Sequence, residues 1–264
     1  PGYLSAGEPG PYHYTNSTIL PFITDKVKKE NDLLFGPFGD FYTREGWPVK
    51  NFYTYNHHPR YIINQIGLRN RMSILSESFA HERFYQRINS TYHFVKEILA
   101  YCNSNAAEIM QINQQAEKNA IELVKNNAGK ISKGVRFKMV PTANGIRDFR
   151  TYDYIPFKKE DGSITLAKTG RIIHVDKVNY YADFKDTVSA TLPRGYIIPA
   201  ALDSIAEHLQ RMGAKVEKLE KKTEFQGEGF LIEKFTKASR KFEGHFMASA
   251  EGKFVAKTFT AEKG

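Results

Sequence analysis

The chain reads as an α/β protein in two parts, helices around a buried strand first and a β-rich region with one helix after it. Three observations point there. An apolar run ends at Glu77, a strongly periodic segment follows it directly, and past residue 127 the apolar period shifts from about 3.6 to 2.

Residues 1–60 are rich in Gly, Pro and aromatics ("FGPFGDFY", "REGWPVKNFY") and predict long aromatic loops. One amphipathic helix is expected among them, capped near Ser17 and carrying Ile19, Ile23, Val27 and Leu33/Leu34. Next comes "NQIGLRNRMSILSESF", residues 64–79: a Gly turn, Arg69 and Arg71, then Met72, Ile74 and Leu75 before Glu77. A strand apolar along its length fills a sheet centre, where a carboxylate is costly unless it is used or paired. Residues 71–77 are therefore expected as an interior strand, and pairing with Arg69 or Arg71 is the purely structural account of Glu77.

Over 82–103, Phe84, Ile88, Tyr92, Val95, Leu99 and Cys102 recur every three or four residues, which predicts a helix packed over the same sheet through that stripe. A second helix runs through Ile109, Ile112, Ala116, Ala120 and Val124 and stops at "NNAGK". That stop divides the chain into residues 1–127 and 128–264. Beyond it "VRFKMV", "RTYDYIPF", "RIIHVDKVNYYADF", "GFLIEKFTKA" and "GKFVAKTFT" read as strands of a mostly antiparallel region. The helix at 200–212 starts behind Pro199, carries Leu202, Ile205, Leu209 and Met212, ends at Gly213, and is expected to pack on those strands.

Composition narrows the function classes. Among 264 residues the net charge of +9 comes from lysines scattered over element faces, which is no nucleic-acid footprint. No run approaches the ~18 apolar residues of a membrane span. The one cysteine, Cys102, cannot form an internal disulfide. None of the eight histidines heads a His-x-x-Glu or His-Glu-x-x-His pattern, and His57-His58 is read as a structural loop pair, since adjacent residues rarely point to one metal. No Gly-rich phosphate loop and no Gly-x-Ser-x-Gly elbow is present.

The stretch "YNHHPRYIINQIGLRNRMSILSESFAHERFYQRINSTYHFVKEILAYC" resembles the C-terminal part of the catalytic domain in M14-family zinc carboxypeptidases, above all the large secreted bacterial members. There an "N-x-x-G-L-R-N-R-x-x-I-L-S-E" strand carries the general-base glutamate ahead of a long helix. The stretch "PRGYIIPAALDSIAEHLQRMGAKVEKL" resembles, more loosely, the accessory region behind that domain. Together they cover less than a third of the chain. The resemblance implies a carboxypeptidase-like mixed-sheet domain followed by a β-rich accessory domain. It makes Glu77 the general base, Tyr55 the mobile tyrosine that caps the substrate, Leu75 a wall of the side-chain pocket, and Arg69 or Arg71 an orienter of Glu77 or of the substrate carboxylate. The substrate would be a peptide or protein C-terminus, the setting secreted or periplasmic, and the cofactor zinc.

The family's His-x-x-Glu pair, third zinc histidine and carboxylate-binding arginine are not recognisable here. The resemblance thus implies a fragment of a longer protein, one that alone holds no catalytic zinc and is inactive. The reading from another class is a non-catalytic peptide- or glycan-binding protein that keeps the peptidase fold. An upstream His-x-x-Glu in the parent favours the enzyme and its loss the binding module.

Overall fold

Proline at position 9 opens the first helix of the computed structural model, which describes residues 7–42 and 45–263. α1 (Pro9–Tyr14) passes through a π turn at Thr15–Ile19 into α2 (Leu20–Asn31). Pro21 has no N–H to give to the preceding turn, and the wider π turn just ahead of it accommodates the loss. The helix thus starts earlier than the expected cap at Ser17, whose hydroxyl instead donates to the His13 carbonyl inside the helical run. Of its expected stripe Ile19, Ile23 and Val27 are buried, but α2 ends at Asn31 with Asp32 in the left-handed region, so Leu33 and Leu34 lie beyond the helix and Leu34 is exposed.

That stripe meets α4 (Phe84–Ser104), which is followed by α5 (Ala106–Asn127). Phe94 stacks on Phe35 with centroids 4.5 Å apart, Tyr101 lies 5.2 Å from Phe22, and Glu97 is buried 2.7 Å from Lys26. Here the stripe expected to pack is corrected. Phe84, Ile88, Tyr92, Val95 and Leu99 face solvent, while Phe94, Glu97 and Tyr101 form the buried face. α4 is apolar over two arcs whose centres lie roughly 130° apart at 100° per residue. α2 takes the arc on which Glu97 can reach Lys26 and the aromatics can reach Phe22 and Phe35.

Residues 71–77 are extended but join no sheet, which corrects the interior strand. The strand-like alternation is kept: Met72 and Ile74 pack against the core of Ile19, Ile23, Val27, Phe94 and Tyr101, while Leu75 and Glu77 are exposed. The ladder is absent because the strands of this unit assemble elsewhere, around β4. β1 (Asn51–Tyr53), β2 (Ser132–Pro141) and β3 (Ile146–Lys158) all pair with β4 (Ile164–Thr191), β1 in parallel and the other two antiparallel. The sheet is mixed, in line with the expected α/β fold with a mixed sheet. A second core of Val49, Phe52 and Val178 sits on it. The β2–β3 turn needs Gly145: its φ is +63°, and a Cβ there would lie 2.4 Å from the Val178 carbonyl oxygen.

Because β1 pairs with β4, the helices and the first three β-rich segments belong to one compact unit, residues 1–194. The boundary expected at 127/128 is not where the units part. "NNAGK" does end α5, but Gly129 N–H then bonds the Leu192 carbonyl at 2.9 Å and ties the helix end to the strand end.

The second unit, residues 195–264, has a 3-10 turn (Ala200–Leu202), α6 (Asp203–Arg211) and a ribbon of β5 (Thr223–Phe242) with β6 (His245–Ala261). Gly213 ends the helix at φ +90° as expected. Within this unit α6 does not pack on β5 or β6. It buries none of its residues, Leu202 and Ile205 stay exposed, and neither ribbon strand has a buried residue. Among the described residues no helix is long and apolar enough to cross a membrane.

Candidate functional site

α3 (Ile62–Leu68) lies between the two segments that the sequence singles out. Its Asn64 is buried and donates from Nδ2 to the carbonyls of Asn56 at 2.9 Å and His58 at 3.2 Å, which fixes the loop after Tyr55. Buried amides are retained where each donor finds an acceptor, and here both do. On the other side Ser73 Oγ donates to the Ile63 carbonyl at 3.2 Å. Asn113 Oδ1 on α5 accepts the Met72 N–H at 3.2 Å, and Ser78 Oγ donates to the Arg87 carbonyl at 3.4 Å and bonds Thr91 Oγ1. Side chains, not a sheet ladder, hold residues 72–78 in their extended path.

Glu77 is exposed at the outer face of that path and has no hydrogen bond or ion pair among the described residues. Leu75 is exposed beside it in the same alternation. Arg71 turns away: its guanidinium pairs with Glu117 at 2.7 Å and reaches the Asn113 carbonyl at 3.5 Å. Arg69 is exposed and has no side-chain partner among the described residues. The ion pair that would have made Glu77 a structural residue is therefore not formed with either arginine. The Ser76 hydroxyl next to Glu77 and Arg87 Nε are buried and have no hydrogen-bond partner among the described residues.

Tyr55 is packed between Phe38 and Tyr61, with centroid separations of 5.7 and 4.8 Å. Its hydroxyl is buried and has no hydrogen-bond partner among the described residues, and burial, with the nearby hydroxyls of Tyr180 and Tyr61, pushes its pKa up to about 12. No contact joins Tyr55 to Glu77 among the described residues. What they share is α3, which braces both segments. His57 and His58 stack at 4.8 Å, and His57 packs edge-on to Phe137 and Phe184. Burial, then His58, lowers the His57 pKa, so the pair is a packed loop element. No group of three His, Cys, Asp or Glu able to hold a metal ion occurs among the described residues.

Asn64, Ser73, Ser78 and Glu117 were not singled out by sequence reasoning. The serines had a signal, polar residues recurring inside an apolar extended run, but their acceptors lie on helices that only the fold brings close. Compared with known protein families, curated proteins and solved structures, the chain matches none.

Proposed function

We propose that this chain is part of an M14-like zinc metallocarboxypeptidase that releases C-terminal residues from peptides, with Glu77 as its general base. The observation that carries the reading is the free carboxylate of Glu77, exposed and unpaired while the nearby Arg71 is held by Glu117. A general base must be open to water and not already neutralised by a fixed cation. Glu77 takes a proton from the attacking water and returns it to the leaving amine. Leu75, two residues earlier on the same outer face, lines the space for the C-terminal side chain. Arg69 is the arginine left to orient the substrate carboxylate, since Arg71 is engaged. The unpartnered Tyr55 hydroxyl is the donor that would close over the bound substrate.

The described residues do not fit a zinc site, for they bring no three metal ligands together. The chemistry assigned to this chain is accordingly the proton transfer and the positioning of the substrate.

The test is Glu77→Gln in the parent protein. Turnover should fall by about 10²–10⁴-fold, the usual share of a general base, with metal content and melting temperature unchanged. An unpaired surface carboxylate leaves nothing uncompensated when it is replaced, so stability has no reason to move. Normal turnover per folded molecule would remove Glu77 from the mechanism.

A further inference from the structure

The second apolar arc of α4 has no counterpart in the cores of the fold. Phe84, Ile88, Tyr92 and Leu99 are 73, 54, 61 and 64% exposed, with Val95 in line between the last two. Exposed apolar residues scattered singly need no explanation, but a row along one face of a helix does. No charged side chain falls within the row; on a helical wheel Arg87 and Lys96 flank it on opposite sides. With Tyr85 alongside, the row offers about 750 Å² of side-chain surface, close to the ~800 Å² that each partner contributes to a stable interface.

The row is also self-complementary. In an isologous contact the helix meets its own copy antiparallel. Centred between His93 and Phe94, that alignment sets Ile88 against Leu99 of the second copy, Tyr92 against Val95, and Phe84 within one residue's rise, about 1.5 Å, of Cys102. Two of these pairs place a ring opposite or beside a small side chain, which lets facing rows interdigitate.

We propose that two copies of this chain associate through α4, packed antiparallel about a two-fold axis along the row from Phe84 to Leu99. The proposal is independent of the role assigned to Glu77.

Sedimentation equilibrium of the 264-residue chain tests it. The expected mass is twice 30.2 kDa. Ile88→Glu with Leu99→Glu should weaken association by roughly a hundredfold or more, because each carboxylate would be buried unpaired in the contact. Both residues are exposed in the monomer, so the far-UV circular dichroism should not change. Ile121→Glu on α5 changes another exposed position and should leave the dimer intact.

Phe84→Cys tests the alignment. It would place its thiol about 27 Å from Cys102 along the same helix, too far to bridge within one chain. Diamide, which accepts two hydrogens from two thiols and leaves one S–S bond, should then give a covalent dimer on a non-reducing gel. The native chain should give none. A monomer at about 100 µM, well above the Kd of an interface of this size, would overturn the proposal, and so would a dimer that survives both glutamates. Cross-linking of the native chain through Cys102 would indicate parallel helices and overturn it equally.

Discussion

In the α2–α4 pair Ile23 and Val27 are fully buried and Phe94 nearly so, whereas in the β5–β6 ribbon Phe230 meets Phe254 with both rings about half exposed. The two regions draw on similar side chains. They differ in layering. A helix stripe on α2 has α4 above it and the Met72–Ile74 stretch beside it, so each side chain is enclosed. The ribbon has a long register, from Thr223↔Ala261 to Phe242↔His245, but none of its residues is buried. Backbone pairing sets which residues face each other, and a second layer decides how much that facing is worth.

The largest effect that would break this contrast is at Phe94. Phe94→Ala should cost about 3–5 kcal/mol in urea unfolding, the range for emptying an enclosed aromatic site. A loss below about 1 kcal/mol would mean that the α2–α4 layer is no better packed than the ribbon.

Glu97→Gln should cost about 1–3 kcal/mol, less than a fully buried pair, because Lys26 is 36% exposed and keeps part of its hydration. The pH dependence sharpens the point. The hydrogen bond and charge of Lys26 hold the Glu97 carboxyl below its ordinary range against the opposing effect of burial. A depressed folded-state pKa contributes stability above the unfolded value, about 4.3 for glutamate, and loses it as the pH falls through the folded value. The melting-temperature gap between the native chain and Glu97→Gln should therefore be constant above about pH 5 and close in more acid solution. A gap unchanged at the acid end would show that Glu97 stabilises by packing and not by charge.

The smallest effect belongs to the ribbon. Phe254→Ala should cost only about 0.2–1 kcal/mol, the value of a cross-strand pair, read from hydrogen exchange of β5 amides. A cost like that of Phe94 would show that a covering layer encloses the ring.

The parts of the fold legible in the sequence are those set by neighbours along the chain. Ile19, Ile23 and Val27 announce α2, "NNAGK" announces the end of α5, and the alternating runs mark every strand from β2 to β6. α4 shows where that legibility stops. Its period identified the helix, but two apolar arcs compete for one partner, and the choice depends on Lys26 and Phe35, more than fifty positions away. For residues 71–77 the alternation was readable and the pairing was not, because a ladder depends on which distant strand arrives. The site follows the same division. Glu77 stood out as an acid ending an apolar run, but Arg71 had a competing partner, Glu117, 46 positions away.

The pairing of β1 with β4 sets an order of events during synthesis. Asn51 accepts a hydrogen bond from Asn179, 128 positions later, and Phe52 enters its core only where Val178 closes it. At ~5–20 residues per second, a ribosome delivers β4 roughly ten seconds after β1. Such long-range closure is slow compared with forming α4 and α5, whose contacts are local. Over that interval the Phe52 ring and the β1 edge have no native neighbour from β4, so a nascent chain stalled before residue 178 is the form most exposed to capture by chaperones or by other chains.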